Sequence, residues 1–267
     1  MKAILLFLLF TGTVFSQKKS LSKQEHELVL LYQKMRLESF SNDIDVRFDS
    51  LEIHSQLFKK KFFSFIEANP ETLTYDFKAL KKENINIVTS EDKVFRIYSW
   101  NTYLGGTMKD FEAIFQYRNH EKTYCNNNFS IAAEDDTYIP FYSQIFTLKT
   151  KSQTYYLVIE NGIYSSKDCS QSIRIYHLDK NNPMQPVSLI KTKSGLTASI
   201  NVYFDFLSVV NRPERPLELI KYDKENRIIY IPIVFENGQV TDKFLRYQFD
   251  GNHFIRMGSN KSVGSGD

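Results

Sequence analysis

Carboxylates and aromatic rings are the side chains of this sequence best able to do chemistry, and neither group has the spacing of an established catalytic motif. Hydrolysis needs a nucleophile beside a positioned base, or two carboxylates that face the bond to be cut. The motifs Gly-x-Ser-x-Gly and His-Glu-x-x-His are both missing. A carboxylate-dependent hydrolase therefore requires folding to bring together side chains distant in sequence. The candidates are Glu134, Asp135, Asp136, Asp205 and Glu214.

The sequence gives little support for a bound metal or another cofactor. The histidines are scattered, and no pair has the spacing that places two ligands on one site. They are His26, His54, His120, His177 and His253. The acidic run at 134–136 is of a type that can bind calcium, but it lacks the Asp-x-Asp-x-Asp-Gly spacing of a calcium loop. A solvated loop is favoured there, and we expect no cofactor.

Aromatic side chains gather around two predicted turns and form the best candidate for a binding site. Exposed rings at loop tips stack on sugars or anchor a protein partner. Core packing is the alternative, and it is favoured for Trp100, which lies in a strand with alternating neighbours. The candidate binding residues are Trp100, Tyr103, Tyr138 and Tyr142.

Cys125 and Cys169 are the two cysteines of the chain. A disulfide between them would close a long loop and stabilise the fold by roughly 4 kcal/mol through the lost entropy of the unfolded chain. Two separate thiols are equally compatible with the sequence, since nothing in it sets the distance between them.

The first residues have the pattern of a signal peptide. Lys2 is followed by an unbroken apolar run from Ala3 to Phe10, and Ser16 ends the segment with a small side chain. The run is shorter than the roughly 20 residues of a membrane-spanning helix, so we expect cleavage and no transmembrane anchor. The prediction is a signal peptide over residues 1–16 and a soluble mature chain from Gln17, exported to the periplasm or the extracellular space.

Charge excludes one class of partner. Charged residues make up 24% of the chain, and the formal net charge is only +3. The one basic block, Lys59 to Lys61, fits a solvated helix face better than a phosphate-binding surface. We therefore predict that the protein does not bind nucleic acid.

Residues 17–83 have helical patterning. Ser22 and Glu25 form a capping box that predicts a helix start, because each side chain can satisfy an exposed backbone N–H group. A second helix is predicted from Asp49 to the dipeptide Asn69-Pro70, and a third begins there with Asn69 as its cap.

Residues 84–258 have the period of β-strands and read as an antiparallel meander rich in Val, Ile, Tyr and Phe. Dipeptides typical of tight turns divide the strands. They are Gly105-Gly106, Asn161-Gly162, Asn237-Gly238 and Asp250-Gly251. Residues 259–267 are predicted to be a flexible tail, so the fold class is mainly β with a helical N-terminal region.

A weak internal repeat refines this architecture. Arg96, Arg174 and Arg246 each lie in the second strand of a predicted hairpin, with an aromatic residue one or two positions later. Their separation is close to two four-stranded units of roughly 40 residues, the period of propeller blades. The pattern favours a small or incomplete β-propeller in which each Arg has the same orientation and, if buried, a carboxylate or carbonyl partner. A two-sheet β-sandwich is the alternative.

One stretch resembles a known group of proteins. The segment from Ser90 to Asn101, followed by Gly105-Gly106-Thr107-Met108, resembles a stretch common in uncharacterised exported proteins of Gram-negative bacteria. The likeness extends more loosely over 155–176 and 240–254. The resemblance implies an exported protein of the same build, and it carries no function over to any residue.

Two functions follow as hypotheses. The first is a binding or interaction module of the cell envelope, whose partner is an envelope protein or a glycan. The alternative is an envelope hydrolase that cuts a glycan or a peptide with carboxylates. Convergence of residues 134–136 and Asp205 in one cleft would favour the hydrolase.

Overall fold

Four layers stack in the order of the chain: a helical layer and then three β-sheets. The computed structural model describes residues 2–40, 44–127, 138–178 and 184–258. The prediction of a mainly β chain with antiparallel sheets and a helical N-terminal region is confirmed. The predicted tail at 259–267 lies outside the described residues.

Three α-helices and one 3-10 helix form the first layer. They are α1 (Lys2–Glu38), α2 (Ile44–Ala68), the 3-10 helix Pro70–Leu73 and α3 (Lys78–Lys82). None of the helices in the described part of the chain has an apolar stretch long enough to cross a membrane. α2 ends before Asn69-Pro70 as predicted, but Asn69 does not cap the next helix, since its side-chain amide donates to the carbonyl oxygen of Phe65 at 2.7 Å.

The predicted helix start at Ser22 is wrong, because α1 continues through it and leaves no exposed N–H groups to cap. Glu25, the acidic residue of that predicted capping box, instead caps α3. Its buried carboxylate accepts hydrogen bonds from the N–H groups of Ala79 and Leu80 at 2.8 and 3.1 Å and from the hydroxyl of Tyr75 at 2.9 Å. A cap from another helix fixes α3 to α1 as well as satisfying its first turn.

The first sheet is a four-stranded antiparallel meander in the order β1-β2-β3-β4. Its strands are β1 (Asn86–Thr89), β2 (Phe95–Asn101), β3 (Phe111–Asn119) and β4 (Lys122–Asn126). β2 is buried on both faces, since Phe95, Ile97, Tyr98 and Trp100 are all inaccessible to solvent. The sheet therefore packs against one layer on each side.

The second and third sheets complete the stack. The second has the order β11-β7-β6-β5, with β8 paired to β7, and the third has the order β10-β9-β15-β14-β13-β12. Strands of the second are β5 (Phe141–Lys149), β6 (Thr154–Ile163), β7 (Asp168–His177), β8 (Gln185–Pro186) and β11 (Ser199–Asp205). Strands of the third are β9 (Ile190–Thr192), β10 (Gly195–Thr197), β12 (Lys221–Asp223), β13 (Ile228–Val234), β14 (Val240–Phe249) and β15 (Phe254–Arg256). All pairs are antiparallel except β15 with β9.

Apolar side chains from alternate strand positions join the layers. Tyr98 and Trp100 of the first sheet pack on Phe58 and Phe62 of α2, with the rings of Trp100 and Phe58 5.3 Å apart. The opposite face of the first sheet packs on the second, where Phe95 and Phe115 meet Tyr156 and Tyr176. The other face of the second sheet, which carries Leu157 and Ile173, forms a core with Ile229 and Phe254 of the third.

The described strands do not close into a propeller ring. The helices cover one face of the first sheet, and no buried core in the described ranges joins the first sheet to the third. The stack also has three sheets and not the two of a sandwich. Of the predicted turns, Asn237-Gly238 and Asp250-Gly251 are confirmed, whereas Asn161-Gly162 lies within β6.

The Arg repeat holds in part. Arg96, Arg174 and Arg246 each lie in the second strand of an antiparallel hairpin, as predicted. Arg96 and Arg174 face the preceding layer and are paired, Arg96 with two carbonyl oxygens and Arg174 with a carboxylate. Arg246 lies on the outer face of the third sheet, so the prediction of one common face is wrong for it. The reason is that no layer formed by the described residues covers that face of the sheet.

The two cysteines are free thiols on different sheets, so of the two alternatives the disulfide is wrong and the separate thiols are confirmed. Cys125 lies on β4 beside the helical core, and Cys169 lies on β7 next to Phe204. Burial raises the pKa of the Cys125 thiol to about 12 and that of Cys169 to about 11. Both are therefore protonated, weakly reactive side chains at neutral pH.

Candidate functional site

One face of the second sheet carries a patch of polar side chains that comes from three neighbouring strands. β7 contributes alternate residues of its segment Ser170-Gln171-Ser172-Ile173-Arg174, and β11 contributes alternate residues of Ser199 to Tyr203. Paired residues form rows that run across the sheet. In one such row, Glu160 of β6 pairs with Ser172 of β7, which pairs with Asn201 of β11. Because side chains alternate between faces, this register places them all on the face toward the first sheet.

A buried ion pair between Glu160 and Arg174 lies at the base of the patch. Arg174 Nε donates to Glu160 Oε1 at 2.9 Å, and the side chains are only 13% and 4% exposed. The same carboxylate accepts from the hydroxyl of Tyr176 at 3.2 Å and, through Oε2, from the hydroxyl of Ser172 at 2.8 Å. Three donors thus hold Glu160 in one position.

The tyrosine hydroxyls beside the ion pair stay protonated and neutral. Burial, followed by the charge of Glu160, raises the pKa of Tyr142 and Tyr176 well above the usual range. Burial, the largest single influence, lowers the pKa of Arg174, but the charge and hydrogen bond of Glu160 together with the nearby hydroxyls of Tyr176 and Tyr142 raise it, and the net pKa is raised. Arg174 therefore stays charged, and neither phenol can act as a general base near neutral pH.

Tyrosine rings wall the cleft above this pair. The rings of Tyr138 and Tyr164 lie 5.0 Å apart, and those of Tyr164 and Tyr203 lie 6.1 Å apart. Gly162 makes this packing possible, since a Cβ there would come within 2.6 Å of Ser170 Oγ and 2.8 Å of Tyr164 Oη. Tyr203 is 61% exposed at the rim, where its ring face can be reached from solvent.

The cleft holds about 140 Å³ and opens to solvent. That is below the roughly 300–1,000 Å³ of sites for drug-sized ligands, so it suits one terminal unit of a larger molecule. Polar side chains from three strands line its floor, and aromatic rings line its wall. They are Glu160, Ser170, Ser172, Arg174, Ser199 and Asn201 on the floor, and Tyr138, Tyr164 and Tyr203 on the wall.

Two other clefts are larger but less specific. A groove of about 430 Å³ between α1 and α2 is mostly apolar and includes Leu28, Leu57 and Phe65. A second cleft, of about 290 Å³, lies where turns of the three sheets meet, and Lys224 and Glu91 form an exposed ion pair there. Neither has a buried charged group with hydrogen-bonding capacity to spare, which is the feature that distinguishes the cleft at Arg174.

Of the four aromatic residues predicted to bind, only Tyr138 lines the cleft. Its hydroxyl accepts a hydrogen bond from the N–H of Ile163 at 2.8 Å, and burial raises its pKa to about 12. Trp100 and Tyr142 are each 1% exposed, so these rings pack in the core and offer no face to a ligand. Tyr103 is partly buried against Tyr32, with the ring centres 5.6 Å apart.

The predicted carboxylates do not form a catalytic pair within the part of the chain that the structure describes. Glu134, Asp135 and Asp136 lie outside the described residues. Asp205 caps a 3-10 helix through the N–H of Leu207 at 2.9 Å, and Lys167 lies 3.5 Å from it. Glu214 contacts Arg212 at 3.7 Å, and neither carboxylate lines the cleft. No group of three His, Cys, Asp or Glu among the described residues is close enough to hold a metal ion.

Sequence reasoning missed Glu160, Ser172 and Asn201 as site residues. One signal was present, since β7 carries Ser170, Ser172, Arg174 and Tyr176 on one face, opposite a face that includes Ile173 and Ile175. Polar residues at buried strand positions need partners on adjacent strands. No family model, curated protein or solved structure matches this chain, so its function has to be inferred from the chemistry of the cleft.

Proposed function

We propose that this chain is an exported carbohydrate-binding module that holds a terminal sugar unit in the cleft between Tyr203 and Arg174. One observation carries the proposal: a buried, hydrogen-bonded Glu160–Arg174 pair opens into a cleft walled by tyrosine rings. Sugars combine an apolar ring face with hydroxyl groups, and tyrosine rings beside fixed polar groups complement both.

Binding fits this geometry better than hydrolysis. Glycoside hydrolysis uses two carboxyl groups that flank the bond, roughly 5–10 Å apart. Within the described ranges, Glu160 is the single carboxylate in the lining of the cleft, and three protein donors already occupy it. The hydrolase therefore remains the weaker alternative, without an observation that favours it.

Export supports a glycan as the ligand. The pattern of residues 1–16 predicts a signal peptide, which would deliver the protein to the envelope, where polysaccharides are abundant. The loose resemblance to exported proteins of Gram-negative bacteria points the same way. Export itself is part of the proposal, and the mass of the secreted product, starting at Gln17, is the measurement that tests it.

Replacing Tyr203 with Ala should weaken glycan binding by about tenfold or more, equivalent to about 1.4 kcal/mol, because the exposed ring is the most accessible stacking surface of the cleft. The measurement is calorimetric titration of the purified chain with a panel of plant, bacterial and chitin oligosaccharides. Tyr124→Ala is the matched control, since Tyr124 is 43% exposed and stacks on Tyr117 of the first sheet. Equal affinities for wild type and Tyr203→Ala, or no binding to any sugar, would contradict the proposal.

A further inference from the structure

We propose that the ligand of this cleft carries a carboxylate, which the terminal nitrogens of Arg174 bind, so that the module selects acidic over neutral sugars. This inference rests on the proposed function and adds the chemical class of the ligand. The guanidinium of Arg174 has N–H donors that no described residue uses.

Arg174 has five N–H donors in a planar group, and its described neighbours accept from one of them. Nε donates to Glu160, whereas no described residue accepts a hydrogen bond from Nη1 or Nη2. The side chain is 13% exposed and lines the cleft. A guanidinium edge with two parallel donors matches the two oxygens of a carboxylate.

The only charged acceptor in the described lining of the cleft, the carboxylate of Glu160, is already occupied by protein donors. Both oxygens of Glu160 are occupied by Ser172, Tyr176 and Arg174. Asn201 and Ser199 add an amide and a hydroxyl at the rim of the same face. The charged group of the floor with unused hydrogen-bonding capacity is therefore the donor edge of Arg174, and an ionised carboxylate, which only accepts, is complementary to it.

Charge balance selects a carboxylate over a phosphate. Glu160 and Arg174 are the two charged side chains in the described lining of the cleft, so the lining has no net charge. A group with one negative charge can share the guanidinium with Glu160, whereas a phosphate monoester brings close to two charges next to that buried carboxylate. The small volume further restricts the ligand to a single terminal acid unit.

The test compares matched ligands on the wild-type chain. Calorimetric titration would use methyl glucuronide against methyl glucoside, methyl galacturonide against methyl galactoside, and glucose 6-phosphate. We expect at least one uronide to bind tenfold or more tightly than its neutral partner and than the phosphate. Equal affinity within each pair, or tighter binding of the neutral sugar or the phosphate, would overturn the inference that the ligand carries a carboxylate. The proposed function would stay intact. Failure of every compound here and of every oligosaccharide in the panel would overturn both.

Two variants test whether the preference for the uronide depends on Arg174. Arg174→Gln should remove the preference for the uronide, while Arg246→Gln should keep it in full. Arg246 occupies the corresponding strand of the third sheet but lies on its outer face. An unchanged preference in folded Arg174→Gln would contradict the assignment to this guanidinium. If Arg174→Gln does not fold, the comparison of ligands on the wild-type chain still decides whether the cleft prefers acidic over neutral sugars.

Discussion

Replacing Glu160 with Ala is expected to lower the free energy of unfolding by about 3–5 kcal/mol, the largest effect we predict for a single polar residue. The substitution leaves Arg174 charged and 13% exposed without its carboxylate. Removing one partner of a buried pair has effects of this size because the other charge stays buried without compensation. The hydroxyls of Ser172 and Tyr176 lose their acceptor in the same step.

Urea denaturation followed by circular dichroism measures this change. Glu236→Ala is the matched control, since Glu236 lies exposed in the turn between β13 and β14, and its replacement should change stability by less than about 0.5 kcal/mol. The double variant Glu160→Met with Arg174→Met should recover much of the loss, because apolar side chains of similar length remove both charges together. A loss below about 1 kcal/mol for Glu160→Ala would mean that the pair is not buried as described.

Replacing Arg96 with Met is expected to lower the free energy of unfolding by about 2–4 kcal/mol. Arg96 is 5% exposed and donates to the carbonyl oxygens of Thr72 and Tyr75 and to the hydroxyl of Thr89, each at 2.6 Å. Its guanidinium also lies over two aromatic rings, 5.9 Å from Phe77 and 5.8 Å from Tyr98. Met fills similar space but supplies no donor, so the carbonyl of Tyr75 loses this partner.

The control for this prediction is again an Arg of the repeat. Arg246→Met should change stability by less than about 0.5 kcal/mol, since the one hydrogen bond that its side chain donates to a described residue, the carbonyl of Gly258, is 3.5 Å long. Thermal or urea unfolding of both variants gives the comparison. Similar losses for the two would indicate that the Arg positions share one environment, as a true propeller repeat requires, and would contradict the stacked arrangement.

Periodicity was enough to predict the order of helices and strands, since it reports local burial. The last helix ends at Lys82 and the first strand begins at Asn86, within a few residues of the predicted change at 83 and 84. The predicted start at Ser22 failed because a capping box is a local pattern, and the carboxylate of Glu25 finds better donors in α3. A contact between residues 54 positions apart has no signature in residue spacing.

Strand pairing explains why the cleft could not be predicted. β11 leaves β10 and pairs with β7, which places Ser199 opposite Arg174 and Asn201 opposite Ser172. β8 pairs with only Tyr176 and His177 of β7, and β11 pairs with the rest of the same edge, a register set by contacts distant in sequence. The sequence predicted a carboxylate or carbonyl partner for a buried Arg174, but the choice of Glu160 follows from the β6–β7 pairing.

Burial also explains why two of the candidate aromatic residues do not reach the cleft, and for Trp100 it agrees with the core packing that the sequence favoured. Trp100 and Tyr142 lie in strands that are covered on both faces, so alternation, which usually separates a wet face from a dry one, did not indicate exposure. Tyr203 shows the converse. It lies in β11, at the edge of the second sheet, and its ring is 61% exposed although its neighbours Val202 and Phe204 are buried.

The most direct test of the central claim, that the cleft at Arg174 binds a sugar, is a nuclear magnetic resonance titration of the labelled chain with the tightest oligosaccharide of the panel. The account predicts that the largest chemical-shift changes fall on the backbone amides of Ser170, Ser172 and Tyr203 and on the side-chain amide of Asn201. Changes confined to the groove between α1 and α2, or to the cleft at Lys224, would contradict it.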